Sequence, residues 1–435
     1  MQGRTRAAVR TRVRVSVTER STAEVADGSP VEGNDESDTA CAEGQPAFAP
    51  ASARDSRRRR RRRWLLAFAV PFVVVAAMLC WSLVGAYETP GNESFSAKWA
   101  DWWRSHHASY LVNHIEAYYY SHHAPPKGGQ PKALNPLPGT VGTVRLNRPA
   151  GPQALPPPSP VPLLVSPPLP GEGKWQPVGS LVHGQAGMYE AQFRADKVYT
   201  GEITSAVWID PRLMKVALIP GITEPGGTWT HPPYIGSAER PAVAAAFNGG
   251  FRFQDARGGF FLDGRTAVPL RAGAASVVLY KDGHLNVGAW GTDVAMTPDV
   301  EAVLQNLVLM VDGGRVATSA TYNDTSVWGS TLGASVVVAR SGLGVTADGA
   351  LVYVAGPALT ARTLAESLQR AGAVRAMTLD INPEWVTFNF FSHPSATNPA
   401  ALEPAKLYPQ MQRPSDRYLG PTEESRDFFM VSTIG

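Results

Sequence analysis

GLGVTADGALVYV, residues 342 to 354, is two apolar runs joined through Asp348-Gly349. An Asp-Gly pair between alternating apolar segments is a strong short-range signal for a β-hairpin, so two antiparallel strands are expected here. Downstream, Thr360 stands as a cap before ARTLAESLQRAG, with Leu364 and Leu368 on one face and Gly372 as the stop. AVRAMTLD (373–380) then reads as a strand ending at Asp380, and WVTFNFF (385–391) as the next one. Upstream lie VYTGEITSAVWI (198–209), LMKVALI (213–219), AVAAAFN (242–248) and LVLMV (307–311), with a second hairpin in VVLYKDGHLNVG. Further Asp-Gly pairs at 263, 282 and 312 supply turns, and no repeat of fixed period is visible. The expected class is α+β, a mostly antiparallel β-sheet domain with few helices, occupying 174–435.

A single transmembrane helix is expected ahead of that domain. Residues 64–87, WLLAFAVPFVVVAAMLCWSLVGAY, carry no charge and as a helix would cover roughly 36 Å, enough to cross a bilayer. Seven arginines, Arg57 to Arg63, stand directly before it, and the formal net charge of +3 conceals that block. Basic residues flanking a span stay on the cytoplasmic side, so the block predicts a cytoplasmic N-terminus and an extracytoplasmic C-terminal domain at the cell membrane rather than a nucleic-acid partner. Val84-Gly85-Ala86 also resembles the cleavage site of a signal peptide, although the apolar run exceeds a usual signal core.

The remaining segments read from composition. Residues 1–56 have no apolar periodicity and predict a disordered cytoplasmic tail, followed by the polybasic segment 57–63. Residues 94–120 place Trp99, Trp102, Trp103, Tyr110 and Tyr118 on one stripe and predict an aromatic amphipathic juxtamembrane helix capped by Ser96. Five histidines between His106 and His123 raise metal binding or pH sensing, but their spacing completes no ligand set, and no metal and no cofactor are expected. Residues 124–173 form a Pro-rich linker, which in polyproline II would hold a domain on the order of 100 Å from the membrane. The two cysteines, Cys41 and Cys80, precede the exported part, which therefore folds without disulfides.

Three segments combine polar groups with glycine beyond what a strand needs. AAAFNGGFRF (244–253) delivers Asn248 to the Gly249-Gly250 turn, with Arg252 following; ARSGLG (339–344) sets Arg340 at a strand end; and the strand 373–380 runs into Asp380-Ile381-Asn382-Pro383-Glu384. Each polar residue also has a structural explanation. Arg340 could pair with an acid at a sheet edge, Asp380 could tie loop backbone together, Arg252 could lie at the surface, Asn248 could serve its own turn, and Asn382 and Glu384 suit a surface turn.

In this order the motifs NGGF (248–251), RSGLG (340–344) and TLAESLQRAGAVRAMTLD (363–380) resemble the phosphodiester glycosidase family over roughly residues 195–395. The resemblance implies hydrolysis of a sugar-phosphodiester bond in a cell-surface glycan or exopolysaccharide. It implies Asp380 as base or nucleophile, Glu384 as acid/base partner, Arg340 with Arg252 as phosphate holders, Asn248 and Asn382 as sugar-binding groups, and Gly249 and Gly250 as the points of close approach. Family members usually continue the last Asp into a glycine-rich turn, whereas this chain reads Asp380-Ile381-Asn382-Pro383-Glu384-Trp385. Pro383 offers no N–H and Trp385 adds bulk, so a catalytically inactive glycan-binding or envelope scaffold on the same fold is the alternative.

Overall fold

The hairpin at 342–354 forms as expected, within longer strands. In a computed structural model, which describes residues 53–137, 152–329, 337–394, 398 and 400–434, Val338–Thr346 pairs antiparallel with Leu351–Leu359, setting Gly342 opposite Val354. Its turn is not the two-residue kind. Gly349 N donates to Thr346 O at 3.1 Å and Thr346 N to Ala350 O at 2.9 Å, with Gly349 at φ +88°, a turn closed by one left-handed residue that glycine adopts without steric cost.

These two strands are central in an eight-stranded sheet that runs Gln176–Pro177, Met188–Phe193, Thr204–Ile209, Leu351–Leu359, Val338–Thr346, Ala373–Thr378, Val311–Asp312 and Arg315–Val316. One five-stranded sheet is ordered Leu285–Ala289, Ala275–Tyr280, Val300–Gln305, Phe260–Leu262 and Arg265–Val268. The other is ordered Glu403–Lys406, Phe388–Ser392, Val243–Asn248, Phe428–Thr433 and Met214–Ile219. Every pairing between these strands is antiparallel, so the architecture is the expected α+β with mostly antiparallel sheets.

Because strand side chains alternate, the large sheet is apolar on both faces. Val352 and Val354 join Trp208, Leu364 and Leu368 on one face, where the helix Ala361–Arg370 packs. Thr360 caps that helix, its Oγ1 accepting from Thr363 N at 3.0 Å while Thr360 N donates to Thr363 Oγ1 at 2.8 Å. Leu343, Val345, Leu351, Tyr353 and Met377 point the other way, into a core shared with the two smaller sheets. There Phe247 stacks between Phe388 and Phe429 with ring centroids 5.5 and 5.0 Å apart, directly beneath the Asn248 turn.

Ahead of the sheets runs a helix from Ala53 to Glu88, and its stretch Arg58–Glu88 is long and apolar enough to cross a membrane. Most of the expected tail, residues 1–52, lies outside the described residues. The chain divides by packing into two units, Met1–Val70 and Pro71–Gly435. Within the second, the expected juxtamembrane helix is two helices, Phe95–Ser105 and Ser109–His122, broken where His107 adopts φ +62°. The cap is Ser94, not Ser96: Ser94 Oγ accepts from Ala97 N at 3.3 Å. Trp99 Nε1 donates to Ser82 Oγ at 2.9 Å, and Trp102 meets Trp81 edge-on at 5.1 Å, so the first of these helices docks on the end of the long one.

The Pro-rich residues 152–173 lie against the large sheet instead of standing clear of it. Leu155, Val161 and Leu169 are buried between the prolines, Leu155 N donates to Asp210 Oδ2 at 2.6 Å, and Glu172 forms a buried pair with Arg194 at 2.7 Å. Proline rings are apolar and their carbonyls remain free to accept, so an extended Pro-rich strand is as able to cover a sheet as to leave it.

Candidate active site

Two strand ends from different sheets meet around Ser341. Alternation points Arg340 and Ser341 to opposite faces of the large sheet, and Ser341 takes the inner one. Asn248 Nδ2 donates to Ser341 Oγ at 3.1 Å, and Asp380 N donates to the same oxygen at 3.2 Å. Asn248 Oδ1 accepts from Tyr353 OH at 3.0 Å and from Thr387 N at 3.2 Å. Asn306 Nδ2 donates to the carbonyls of Thr378 and Leu379 at 3.0 and 2.9 Å, which fixes the strand just before Asp380. Asn248 therefore acts through a buried network that places Asp380.

The Asp380 carboxylate is almost completely engaged. Oδ1 accepts from Ile381 N and Asn382 N, each at 2.8 Å, and Oδ2 accepts from Arg426 Nη1 at 3.0 Å. Burial raises this carboxyl above the usual carboxylate range, opposed by the Arg426 charge and the two backbone donors. Arg426 is held in turn over the Trp385 ring, 4.0 Å from its centre.

Asp380 opens onto a polar cleft of about 620 Å³ whose charged lining is Arg104, Arg252, Arg257, Arg426, Asp255 and Asp380. Arg104 comes from the helix Phe95–Ser105, and Ser105 and Ser109 complete that wall. Asp101 accepts from Arg104 at 3.0 Å and forms a close ion pair with Arg252, so this helix and the domain share one charge network. Four guanidinium groups against the two carboxylates of the lining, Asp255 and Asp380, favour an anionic ligand.

Beneath the cleft, the NGG turn closes over Asp427. Gly249 N donates to Asp427 O at 3.2 Å, and a Cβ on Gly249 would stand 1.9 Å from Asp427 Oδ2, so only glycine fits. Burial, reinforced by the neighbouring Glu224 charge, pushes the Asp427 carboxyl up to about 8. Its Oδ2 has no hydrogen-bond partner. Burial also raises Glu224, with Arg426 and Arg252 opposing.

Of the residues singled out in the sequence, Asn248, Gly249, Gly250, Arg252, Asp380 and Asn382 gather at this cleft or directly under it. Arg340 and Glu384 do not line it. Arg340 is buried on the helix-bearing face, where its Nε donates to Leu359 O at 2.9 Å and burial pushes the guanidinium down to about 10. Glu384 faces away from Asp380 and accepts from Arg413 Nη1 at 2.8 Å and from Ser94 N at 3.0 Å. Arg413 also donates to Asn92 Oδ1 at 2.8 Å, so Glu384 pins the segment leading into the helix Phe95–Ser105. The histidines pack locally, as where His106 stacks on Trp102 at 3.8 Å, and among the described residues no group of three metal-ligating side chains occurs.

Sequence reading missed Arg426, Arg257, Arg104, Ser341 and Asp427. Ser341 was within reach, since period-two alternation next to Arg340 separates the two faces. Arg426 and Asp427 carry no local signal: they join the site only because Phe428 pairs with Asn248 across two strands distant in sequence.

The class of molecule is thus an antiparallel α+β domain that presents one buried carboxylate among arginines. Residues 241–380 match the model of the phosphodiester glycosidase family. Similar solved structures include the zebrafish N-acetylglucosamine-1-phosphodiester alpha-N-acetylglucosaminidase catalytic domain, auto-inhibited by its pro-peptide. It is 17% identical, with a TM-score of 0.35 over 57% of this chain and 84% of that one. Another is a hypothetical protein from Synechocystis, 13% identical, with a TM-score of 0.32 over 60% of this chain and 64% of that one. No curated protein matches the sequence.

Proposed function

We propose that the chain is a membrane-anchored hydrolase with a cytoplasmic N-terminus, whose extracytoplasmic domain cleaves a sugar-phosphodiester bond of a cell-surface glycan in the Asp380 cleft. The observation that carries this reading is the placement of Asp380 at the wall of a cleft lined by Arg104, Arg252, Arg257 and Arg426. In the reaction the anomeric carbon–oxygen bond breaks, and the phosphate monoester leaves with the bonding electrons. A phosphate ester is a good leaving group, so arginines that stabilise its charge do what a strong general acid does for an ordinary glycoside. Asp380, held by three donors, attacks the anomeric carbon or takes the proton from an attacking water. Asn248 and Ser341 position it from below, and Asn382 and Arg252 face the substrate. Arg340 and Glu384 serve as positioning residues, the first for the strand that carries Ser341 and the second for the juxtamembrane wall.

One observation favours a glycan-binding protein without turnover. The Asp380 carboxylate accepts three hydrogen bonds from the protein itself, and Pro383 removes a backbone donor from the following turn. The two readings separate in full-length protein reconstituted in phospholipid nanodiscs and incubated with the methyl phosphodiester of N-acetylglucosamine. Release of free sugar by the wild type and its loss in Asp380→Asn, at an unchanged melting temperature, supports hydrolysis. Saturable binding without sugar release supports the second reading.

A further inference from the structure

Beside the arginine cleft lies a second hollow, of about 570 Å³ and opposite character. Its apolar lining is Leu79, Trp99, Trp103, Leu111, Val112 and Ile115. Leu79 belongs to the long apolar helix and the other five to the two juxtamembrane helices. Leu111 and Ile115 are exposed, as apolar side chains facing an open hollow are. Across from them stands the turn Asn382, Glu384 and Trp385. Arg104 and Asn382 line both cavities, so the hollow adjoins the cleft that holds Asp380.

A cationic chamber joined to an apolar one suits a single ligand with an anionic head and a hydrocarbon tail. The adjacency fixes the order of the parts: the tail lies on the side of the membrane helix, and the phosphate lies among the arginines. Contiguous exposed apolar surface at such a position marks a binding site rather than ordinary protein surface. We propose that the hollow receives the hydrocarbon tail of a lipid-linked sugar phosphodiester whose phosphate and sugar occupy the adjoining arginine cleft. This rests on the sugar-phosphodiester reading of that cleft and names the lipid half of the substrate.

The test uses full-length protein in phospholipid nanodiscs with two probes, the methyl and the octyl phosphodiesters of N-acetylglucosamine. Each methylene moved from water into the hollow favours binding, so the octyl ester is expected to show a KM roughly tenfold or more below that of the methyl ester. Leu111→Arg is expected to erase that difference. Equal KM values for the two esters, or a difference that survives Leu111→Arg and so reflects partitioning into the bilayer, overturns the proposal. An octyl ester carrying a terminal diazirine gives a readout independent of turnover. Photolabel on residues 95–122, competed by unlabelled octyl ester and not by the methyl ester, supports the tail site. Label confined to 64–75, or cross-links between two copies of the chain, overturns it. Labelling of 95–122 without hydrolysis of either ester removes the enzyme reading and leaves the tail site standing; hydrolysis of both without such labelling does the reverse.

Discussion

Arg426 Nη1 donates to Asp380 Oδ2 at 3.0 Å across 46 residues of sequence, and both side chains are largely removed from solvent. This pair joins the loop before the last strand, Phe428–Thr433, to the strand end that closes its longest motif. Burial raises the Asp380 pKa, and the Arg426 charge opposes that rise and favours the ionised carboxylate.

Arg426→Ala removes the cation that lowers the Asp380 pKa. The acid limb of kcat/KM against pH is therefore expected to move to higher pH, with activity at neutral pH falling about 100-fold or more. Leaving one member of a buried pair alone also costs about 3–5 kcal/mol of stability. Steady-state rates across pH, with a melting curve at each point, check both parts, and an unmoved acid limb would contradict the assignment of Asp380.

Asp427→Asn tests the buried acid beneath the NGG turn. Its folded pKa of about 8 is raised above the unfolded value, so its stabilising contribution is full below the ordinary aspartate pKa. That contribution is lost as pH rises through about 8. The wild-type melting temperature should decline from pH 4 to pH 9 more steeply than that of Asp427→Asn. Parallel curves would show that Asp427 ionises normally.

Gly249→Ala places a methyl where Asp427 Oδ2 already lies, 1.9 Å from the new carbon. Overpacking of this kind costs about 1–3 kcal/mol. The double variant Gly249→Ala, Asp427→Gly should recover part of the loss, a coupling readable from denaturant midpoints in a double-mutant cycle.

Glu384→Gln separates positioning from chemistry. It breaks the Arg413 ion pair and weakens the grip on Ser94, so the segment 88–95 should become cleavable by chymotrypsin at Phe95 in the folded protein. The expected catalytic effect is a rise in KM with kcat changed by less than about threefold, since uniform binding is what a displaced wall removes. A collapse of kcat at unchanged KM would restore Glu384 as a participant in the reaction.

Local sequence determined the strands, the hairpin at 342–354, the capped helix after Thr360 and the apolar span, because turn residues, caps and periodicity act over a few positions. It also placed Asp380 and Asn248 at strand ends, where polar side chains leave a core. Sequence could not show that Arg340 turns away from its neighbour's network, since a motif written in one dimension hides which of two alternating faces meets the next sheet. Nor could it show that Glu384 holds the juxtamembrane segment, or that Pro-rich residues 152–173 cover a sheet. Tertiary structure alone decided the charge of the cleft: Arg104, Arg252, Arg257 and Arg426 converge on Asp380 from elements far apart along the chain. Only the burial of apolar faces sets the distances between such elements, and electrostatics then depends on those distances rather than on sequence separation.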